Sequence, residues 1–327
     1  MKWLCAVMLA VGSAWVLARE MTVVLVLPGE ERAIESVFKD YLVKRGLAIR
    51  FESLRFSGKA SDAPALVSQI RARQPDLIYT WGTPTTLAVA GRFDAPVIAD
   101  IPIVFAEVAD PVGAGIVRQC EPPGRNVTGV VHIAPLAVQI NTLRAYRPFK
   151  RLAALVNPVE PNMVLVGEAL TRLAQAQGFE LTLETLPQTP SGEADIGGID
   201  ASLRRMVEAK ADFLYIGPST FLAFTHRDRV TQAALDARLP TFCATESIVR
   251  KARCLVGISS SATNLGRFVG FKAASILADG KAVASVPVET LTRFSLLINM
   301  PVAKALDLYP PLHLLNVAEV LGVPEAR

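Results

Sequence analysis

The sequence lacks the motifs of the common catalytic sites. Its 327 residues contain no G-x-S-x-G elbow, no H-E-x-x-H, no C-x-x-C and no phosphate-binding P-loop, and no G-x-G-x-x-G follows a predicted strand. Histidine is also rare. The chain has three, His132, His226 and His313, and they lie far apart in the sequence. These absences argue against a zinc site built on histidine and against a dinucleotide enzyme. We therefore expect a protein without a metal or a cofactor.

A strong charge of one sign is missing as well. The chain has 34 Lys and Arg against 30 Asp and Glu, which leaves a net charge of +4. No block of Lys and Arg occurs, so the sequence argues against a nucleic-acid partner. Hydrophobic residues make up 51% of the chain, and its length corresponds to about two domains with a core each.

The first 18 residues differ from the rest of the chain. The stretch "MKWLCAVMLAVGSAWVLA" places Lys2 before an apolar run that ends in small residues, ahead of Arg19. This is the pattern of a secretory signal peptide. A transmembrane anchor is the alternative, but the run is barely long enough to span a bilayer. We predict that residues 1–18 are a signal peptide cleaved near Ala18 and that the remaining chain is periplasmic.

Cysteine is scarce, and export changes what the cysteines are expected to do. Of the four, Cys5 leaves with the predicted signal peptide, and Cys120, Cys243 and Cys254 remain. Disulfides persist in an oxidising compartment. Cys243 and Cys254 lie on consecutive apolar segments and could form a disulfide. Buried free thiols, packed as small hydrophobic side chains, are the open alternative.

Short apolar runs alternate with segments of helical period along the whole chain. "MTVVLVLP", "PDLIYTWG" and "IPIVFAEV" are predicted strands, "EERAIESVFKDYLVKRG" is a predicted helix, and the same alternation starts again at "RLAALVNP". Uniformly apolar strands are typical of parallel sheets that are covered on both faces. The sequence therefore predicts an α/β fold with two doubly wound parallel-sheet lobes.

The C-terminal third is predicted to cross back between these lobes. We expect the first lobe to comprise residues 19–132 and about 258–286, and the second lobe to comprise residues 133–257 and about 287–327.

Polar residues follow several of the predicted strands. Ligands bind in the crevice at the carboxyl ends of parallel strands. "WGTPTTLAV" is the clearest example, because Gly82 permits a tight turn, Thr83 is placed to cap a helix and Pro84 favours its first position. Free N–H groups and the helix dipole would suit a ligand carboxylate there. A capped helix without a ligand is the open alternative.

Two carboxylates follow the strand "IPIVFAEV". Glu107 and Asp110 could form the acid pair of a glycosidase. Three residues apart at a strand end, however, they are expected to face different ways. Because polar strand ends occur in both halves and no catalytic motif is present, a hydrogen-bonding cleft is the better interpretation.

The same stretches resemble the family of ABC-transporter substrate-binding proteins that includes tryptophan-type binding proteins. The matching segments follow the family's order over nearly the whole chain after residue 18: "GTPTTLA", "PIVFAEVADPVGAGIV", "PPGRNVTGV", "LVNPVEPN", "ARLPTF", "LGRFVGFKAASIL" and "LLINMPVAKAL". The resemblance implies a type I periplasmic-binding-protein fold, in which a multi-strand hinge joins two lobes that close on a small molecule. It also implies that Thr83, Thr85, Asp110 and the loop 157–162 lie on or near the cleft.

The chain departs from the family pattern at three places. It has "PGEERAIE" where the family has a His-Pro pair, Met163 where a Ser is common, and Ser219 and Thr220 where an Asp is common. A ligand ammonium group would need a carboxylate, and Glu30, Glu31, Glu160 and Glu246 are the possible substitutes. The predicted ligand-binding residues are Gly29, Glu30, Trp81, Gly82, Thr83, Thr85, Glu107, Asp110, Asn157, Glu160, Asn162, Ser219, Thr220, Thr245 and Glu246.

Three functions fit these observations to different degrees. The first is a non-enzymatic, monomeric solute-binding protein of an ABC-type importer, which captures a small polar or carboxylate-bearing molecule and docks on a membrane permease. The second is a ligand-sensing receptor on the same fold. The third is an exported α/β hydrolase, which would need a nucleophile beside His132 or His226. The resemblance favours the first.

Overall fold

Two β-sheets form the framework of the protein. The computed structural model describes residues 19–322, so the predicted signal peptide at residues 1–18 lies outside the described residues. The strands in chain order are β1 (Met21–Leu27), β2 (Ile49–Arg55), β3 (Leu77–Trp81), β4 (Gly91–Arg92), β5 (Ala95–Pro96), β6 (Ile103–Ala106), β7 (Val127–Val131), β8 (Arg151–Val156), β9 (Glu180–Thr185), β10 (Phe213–Ile216), β11 (Thr241–Cys243), β12 (Val256–Ser259), β13 (Glu289–Thr290), β14 (Ser295–Asn299) and β15 (Glu319–Leu321).

Helices cover the faces of these sheets. They are α1 (Ala33–Lys44), α2 (Ala63–Ala72), α3 (Thr83–Ala90), α4 (Leu136–Tyr146), α5 (Pro161–Gln177), α6 (Ile199–Glu208), α7 (Arg227–Asp236), α8 (Glu246–Lys251), α9 (Ala262–Leu277), α10 (Met300–Leu306) and α11 (Leu312–Leu315). A π-helical turn spans Phe221–Thr225, and 3₁₀ turns occur at Ala60–Asp62, Ile196–Gly198 and Val283–Ser285. No helix within residues 19–322 is both long and apolar enough to cross a membrane.

Each sheet is the centre of one lobe. The sheet of the first lobe has the order β2–β1–β3–β6–β7–β13 and is parallel throughout. The sheet of the second lobe has the order β9–β8–β10–β11–β12–β14–β15. Its one antiparallel pair is β12 with β14, so β14 and β15 run opposite to the other five strands. This topology confirms the predicted α/β class with two parallel-sheet lobes.

The first sheet extends slightly further along the chain than the predicted first lobe. β13, at residues 289–290, pairs with β7 and follows the boundary that we expected near residue 286. The domain boundaries themselves stay predictions.

The apolar runs become strands because both faces of each sheet are covered. In β1, Val23, Leu25 and Leu27 pack into one hydrophobic cluster, while Val24 and Val26 pack into the cluster on the opposite face. All five side chains are at most 1% exposed. Side chains alternate between the faces of a strand, so a continuous apolar run is what a sheet covered on both faces requires.

Helix α9 returns from the C-terminal third of the chain to the first lobe. It packs closely on α1, and two glycines four residues apart allow the approach. A Cβ atom on Gly266 would lie 2.6 Å from the backbone oxygen of Ile34, and one on Gly270 would lie 2.9 Å from Tyr41 Cβ. Residues four apart share one face of a helix, so these glycines form the flat surface on which α1 lies.

Three segments cross between the lobes, at residues 132–135, 260–261 and 291–294. They are joined by hydrogen bonds. Leu291 N donates to Val131 O at 2.9 Å, Ser260 N donates to His132 O at 3.4 Å, and Ser260 Oγ donates to the backbone oxygen of Arg293 at 3.1 Å. The three crossings therefore form one connected hinge next to the carboxyl ends of β7 and β12.

The sulfur atoms of Cys243 and Cys254 lie at bonding distance in the second lobe. The S–S distance is 2.01 Å, and the two residues are 11 positions apart. Cys243 ends β11, and Cys254 lies two residues before the adjacent strand β12. Both side chains are fully buried, whereas Cys120 is a partly exposed free cysteine.

We expect this disulfide to stabilise the folded chain by restricting the unfolded one. Closing a loop of this length contributes about 3 kcal/mol in the chain-entropy model. Replacing both residues, Cys243→Ala with Cys254→Ala, should lower the free energy of unfolding by about that amount in a urea titration of residues 19–327. A reductant should then destabilise the parent protein but not the double variant. Cys120→Ala is the control and should change little, and equal urea midpoints with and without reductant in the parent would contradict the prediction.

Candidate functional site

The carboxyl ends of the two sheets face each other, and side chains from both lobes are in contact there. The ring centroids of Trp81, which ends β3 in the first lobe, and Phe224, in the π-helical turn of the second lobe, are 5.1 Å apart. A Cβ atom on Gly82 would lie 3.2 Å from Thr220 Oγ1, and one on Gly29 would lie 3.7 Å from Phe224. We call the space between these strand ends the cleft. The structure shows it with the lobes closed.

Helix α3 points its N-terminus into the cleft from the first lobe. The N-cap is Gly82, at φ 81°, and Thr83 is the first helical residue. The prediction that Thr83 caps the helix was therefore wrong by one residue, because the chain needs a left-handed residue at that turn and glycine adopts it without strain. Thr83 and Thr85 are both 2% exposed, and Thr83 Oγ1 has no hydrogen-bond partner among the described residues.

Arg32 reaches the cleft from the end of β1. Its guanidinium carbon lies 4.1 Å from the centroid of the Trp81 ring and 4.2 Å from that of Phe224. The side chain is 13% exposed, its Nε lies 3.6 Å from Glu35 Oε2, and neither Nε nor Nη2 has a hydrogen-bond partner. Its position after the same strand as Gly29 and Glu30 is the sequence signal that could have identified Arg32, but the predicted set contained carboxylates of "PGEER" and not this arginine.

Arg227 approaches the same aromatic ring from the second lobe. Its guanidinium carbon lies 5.6 Å from the centroid of Phe224. The side chain is 23% exposed, its Nε lacks a hydrogen-bond partner, and the nearest carboxylate oxygen, on Asp228, is 3.9 Å away. Two guanidinium groups, one from each lobe, therefore meet around Phe224. No sequence signal marks Phe224 or Arg227, because the segment "FTHRDR" has the pattern of a solvated helix.

The side chains of Glu107 and His132 are in contact on adjacent strand ends of the first lobe. Glu107 Oε2 lies 2.8 Å from His132 Nε2, and the side chains are 16% and 2% exposed. The ring N–H is not aligned well enough for a hydrogen bond, so the contact is electrostatic. Burial by itself would raise the pKa of Glu107, but the charges of His132 and Arg32 outweigh it and hold the pKa below its ordinary value.

In the second lobe, Glu160 is the centre of a self-contained hydrogen-bond network. It is 4% exposed, and its carboxylate accepts hydrogen bonds from Ser219 Oγ and from the backbone N–H of Phe221, the latter at 2.9 Å. Burial raises the pKa of Glu160, although these hydrogen bonds oppose the shift. Asn157 Oδ1 accepts a hydrogen bond from Val159 N at 3.1 Å. These residues hold the strand-end loops in place.

Two other polar residues of the second lobe keep free hydrogen-bonding capacity. Asn162 Nδ2 donates to Pro218 O at 2.8 Å, while its Oδ1 has no partner. Thr245 is 8% exposed, and its Oγ1 is likewise without a partner. Both are buried behind the strand ends that face the first lobe.

Three of the predicted ligand-binding residues bind groups of the protein itself. Glu30 is 90% exposed and pairs with Arg55. Asp110 is exposed and accepts a hydrogen bond from Gly113 N at 2.8 Å, which closes a turn. Glu246 engages Arg250 and the backbone N–H of Ala262, each at 2.6 Å. These placements give the three residues structural roles. Glu31 also lies outside the cleft, where it binds Lys39 and Ser53.

The cleft concentrates buried polar atoms that have no partner within the described part of the chain. An unsatisfied buried polar group costs about 1–3 kcal/mol, and native structures contain few of them. Those at the strand ends of the two lobes and at the hinge are Arg32 Nε and Nη2, Trp81 Nε1, Thr83 Oγ1, His132 Nδ1, Asn162 Oδ1, Arg227 Nε, Thr245 Oγ1 and Ser259 Oγ. Their number and convergence indicate a site built for a polar molecule. Residues 19–322 contain no group of three or more His, Cys, Asp or Glu that could hold a metal ion.

Comparisons with known proteins identify relatives of this chain by sequence and by fold. Over 258 residues the chain is 27% identical to the tyrosine-binding protein of Clostridioides difficile, an alignment that covers 77% of this chain and 70% of that protein. The crystal structure of a conserved domain protein from Vibrio cholerae superposes with a TM-score of 0.81 at 26% identity, covering 92% of this chain and 99% of that one. A Streptococcus pneumoniae ABC domain in complex with L-Trp gives a TM-score of 0.80 at 21% identity, with the same coverage.

The family match extends over most of the sequence. Residues 30–320 match the family described as ABC transporter substrate binding protein. Together with the solved structures, this match confirms the resemblance found in the sequence and the two-lobed type I periplasmic-binding fold. The chain belongs to the ABC transporter substrate-binding proteins, a family that binds solutes and is not enzymatic.

Proposed function

We propose that this protein is an exported receptor that captures a small carboxylate-bearing solute between its lobes and presents the closed form to an ABC-type membrane permease. One observation carries the proposal: buried polar atoms without partners converge from both lobes on the place where the lobes touch. A ligand that supplied their missing hydrogen bonds would bind the closed state and not the open one.

The donors in this set favour a carboxylate. Arg32, Arg227 and the indole N–H of Trp81 are donors only, and each has at least one nitrogen without a partner. A guanidinium fork matches a carboxylate in shape and charge. The N-terminus of α3 adds backbone N–H groups and a favourable dipole next to Thr83.

The two guanidinium groups also explain why the ligand would close the lobes. Arg32 lies in the first lobe and Arg227 in the second, and both lie against Phe224. Bringing two like charges together while removing them from water is unfavourable. An anion between them removes that cost only when both lobes contact it, so binding shifts the equilibrium toward closure. The ion pair between Lys59 of the first lobe and Glu193 of the second is exposed to solvent, so it contributes little to the free energy of closure.

The relatives suggest which solutes to test first. One is named a tyrosine-binding protein, and another was solved with L-Trp. We therefore propose a panel of the twenty standard L-amino acids, together with the matching carboxylic acids that carry hydrogen in place of the α-amino group.

Binding should be visible through the cleft itself. Residues 19–327 contain a single tryptophan, Trp81, since Trp3 and Trp15 precede residue 19. A ligand that contacts the indole should change its fluorescence, and thermal unfolding serves for panel members that fluoresce themselves. At a hundredfold excess over its dissociation constant, a ligand adds about 2.7 kcal/mol of stability. If no carboxylate in the panel shifts either signal, the proposed function is wrong.

Removing the Arg32 charge should weaken the binding of every carboxylate in the panel. Arg32→Met keeps the length of the side chain and its contact with Trp81, but deletes the donors. A charge-assisted hydrogen bond contributes about 1.5–3 kcal/mol, so the dissociation constant measured by calorimetry should rise about 10- to 100-fold. Arg55→Met, at an exposed arginine of the same lobe, is the matched control. Equal losses in the two variants would argue against the assigned role.

Phe224 should hold the closed form together. Phe224→Ala removes the ring that contacts Trp81 and Arg32 across the lobes, so the ligand-free protein should populate more open shapes. We expect a larger radius of gyration in solution scattering and about a tenfold loss of affinity, because the ligand must then drive closure without this contact. Phe271→Ala, at a 47% exposed phenylalanine of α9, should change neither quantity. An unchanged radius and affinity in Phe224→Ala would refute the closing role.

A further inference from the structure

Glu107 has an uncommon backbone conformation for its residue type. It follows β6 directly and has a φ of 57°, in the left-handed region that residues with a Cβ atom rarely adopt. The residue before it is held in place, because Ala106 O accepts a hydrogen bond from Gly82 N at 2.9 Å, which links the ends of β6 and β3. Non-glycine residues in this region cluster at functional sites, where the surrounding structure holds them in place.

The carboxylate of Glu107 is largely buried, and one of its two oxygens has no hydrogen-bond partner within residues 19–322. The pair with His132 engages Oε2 at 2.8 Å. No hydrogen bond within residues 19–322 reaches Oε1. Although the group is largely buried, His132 and Arg32 keep its pKa below the ordinary value, so the side chain stays ionised in the pH range of a folded protein. It therefore offers an acceptor with a full negative charge.

Three other carboxylates near the cleft have both oxygens occupied. Glu35 accepts from Tyr79 Oη at 2.7 Å and from Arg32 N at 2.8 Å. Glu160 accepts from Ser219 and Phe221, as described above. Glu246 is held by Arg250 and the N-terminus of α9. Among these strand-end carboxylates, Glu107 is thus the one with an acceptor to spare.

We infer that Glu107, positioned by His132, accepts the protonated amine of the ligand and thereby selects solutes that carry an ammonium group as well as a carboxylate. The inference rests on the proposed function, in which Arg32 and Arg227 hold the carboxylate. Ala106, the residue before Glu107, is the register partner of Trp81, and the Trp81 ring lies against the Arg32 guanidinium. Arg32 and Glu107 therefore flank the same strand end, where a single small zwitterion can contact both. The carboxylates of "PGEER", which were two of the predicted substitutes, do not supply this acceptor, because Glu30 pairs with Arg55 and Glu31 pairs with Lys39.

The test compares ligands that differ only in the amine. Calorimetry on residues 19–327 measures the dissociation constants of L-tyrosine and L-tryptophan and of 3-(4-hydroxyphenyl)propanoate and indole-3-propanoate, and of any other amino acid that binds in the panel with its own deaminated acid. The unaltered protein should bind the amino acid about 10- to 100-fold more tightly than the matching acid.

Glu107→Gln then assigns the preference to a residue. The variant should lose most of it, with a 10- to 100-fold weaker dissociation constant for the amino acid and a change below about threefold for the deaminated acid. Glu30→Gln is the same substitution at the exposed carboxylate and should leave both constants unchanged. The ratio is measured on one folded protein, so a general loss of stability does not produce it.

Each outcome separates the two proposals. If deaminated acids bind as tightly as amino acids, or if Glu107→Gln weakens both ligands equally, the role of Glu107 is overturned while the solute-receptor function stands. If no carboxylate binds, the proposed function fails and the inference fails with it. Should Glu107→Gln not fold, Glu107→Asp takes its place: the shorter side chain withdraws the carboxylate from the amine, so the preference for the amino acid should fall, and an unchanged preference would overturn the role of Glu107.

Discussion

A guanidinium group held against two aromatic rings from different lobes is the contact on which the cleft depends. Arg32 touches Trp81 in its own lobe and Phe224 in the other, and two of its nitrogens lack hydrogen-bond partners. Cation–π attraction favours this arrangement, but it does not replace the hydrogen bonds that a desolvated guanidinium loses. The closed protein is therefore electrostatically incomplete at the point where the lobes meet, and the anionic ligand that we propose would complete it.

The hinge brings the contact between Glu107 and His132 into the same region. His132 lies on the first of the three crossing segments and faces Glu107 at the next strand end. Because its backbone oxygen also accepts from Ser260 N on the second crossing, His132 links the hinge to the wall of the cleft. A ligand group that engaged Glu107 would thus contact the element about which the lobes move, which joins recognition to closure through adjacent residues.

The path of the chain brings the cleft residues together, although they are far apart in the sequence. Several strand ends of each lobe supply the cleft, and α9 must return to the first lobe to cover the sheet that carries Arg32, Trp81 and Glu107. The glycines at 266 and 270 permit that return, because larger residues would separate α9 from α1. The Cys243–Cys254 pair ties β11 to β12, the two strands that lead to Thr245 and to the second crossing of the hinge.

The sequence by itself determined the α/β class, the two lobes and most of the strand ends, because apolar periodicity and turn residues act over short distances. It located Gly82, Thr83 and Glu107 at those ends correctly, although it placed the helix cap one residue late. Only the tertiary structure decided which side chains face the cleft: Arg32 does and Glu30 does not. Phe224 and Arg227 also lie in the cleft, although their segment has the sequence pattern of a solvated helix. Their orientation depends on the contact between the two lobes, and local patterns of apolar and polar residues carry no information about a partner more than a hundred positions away.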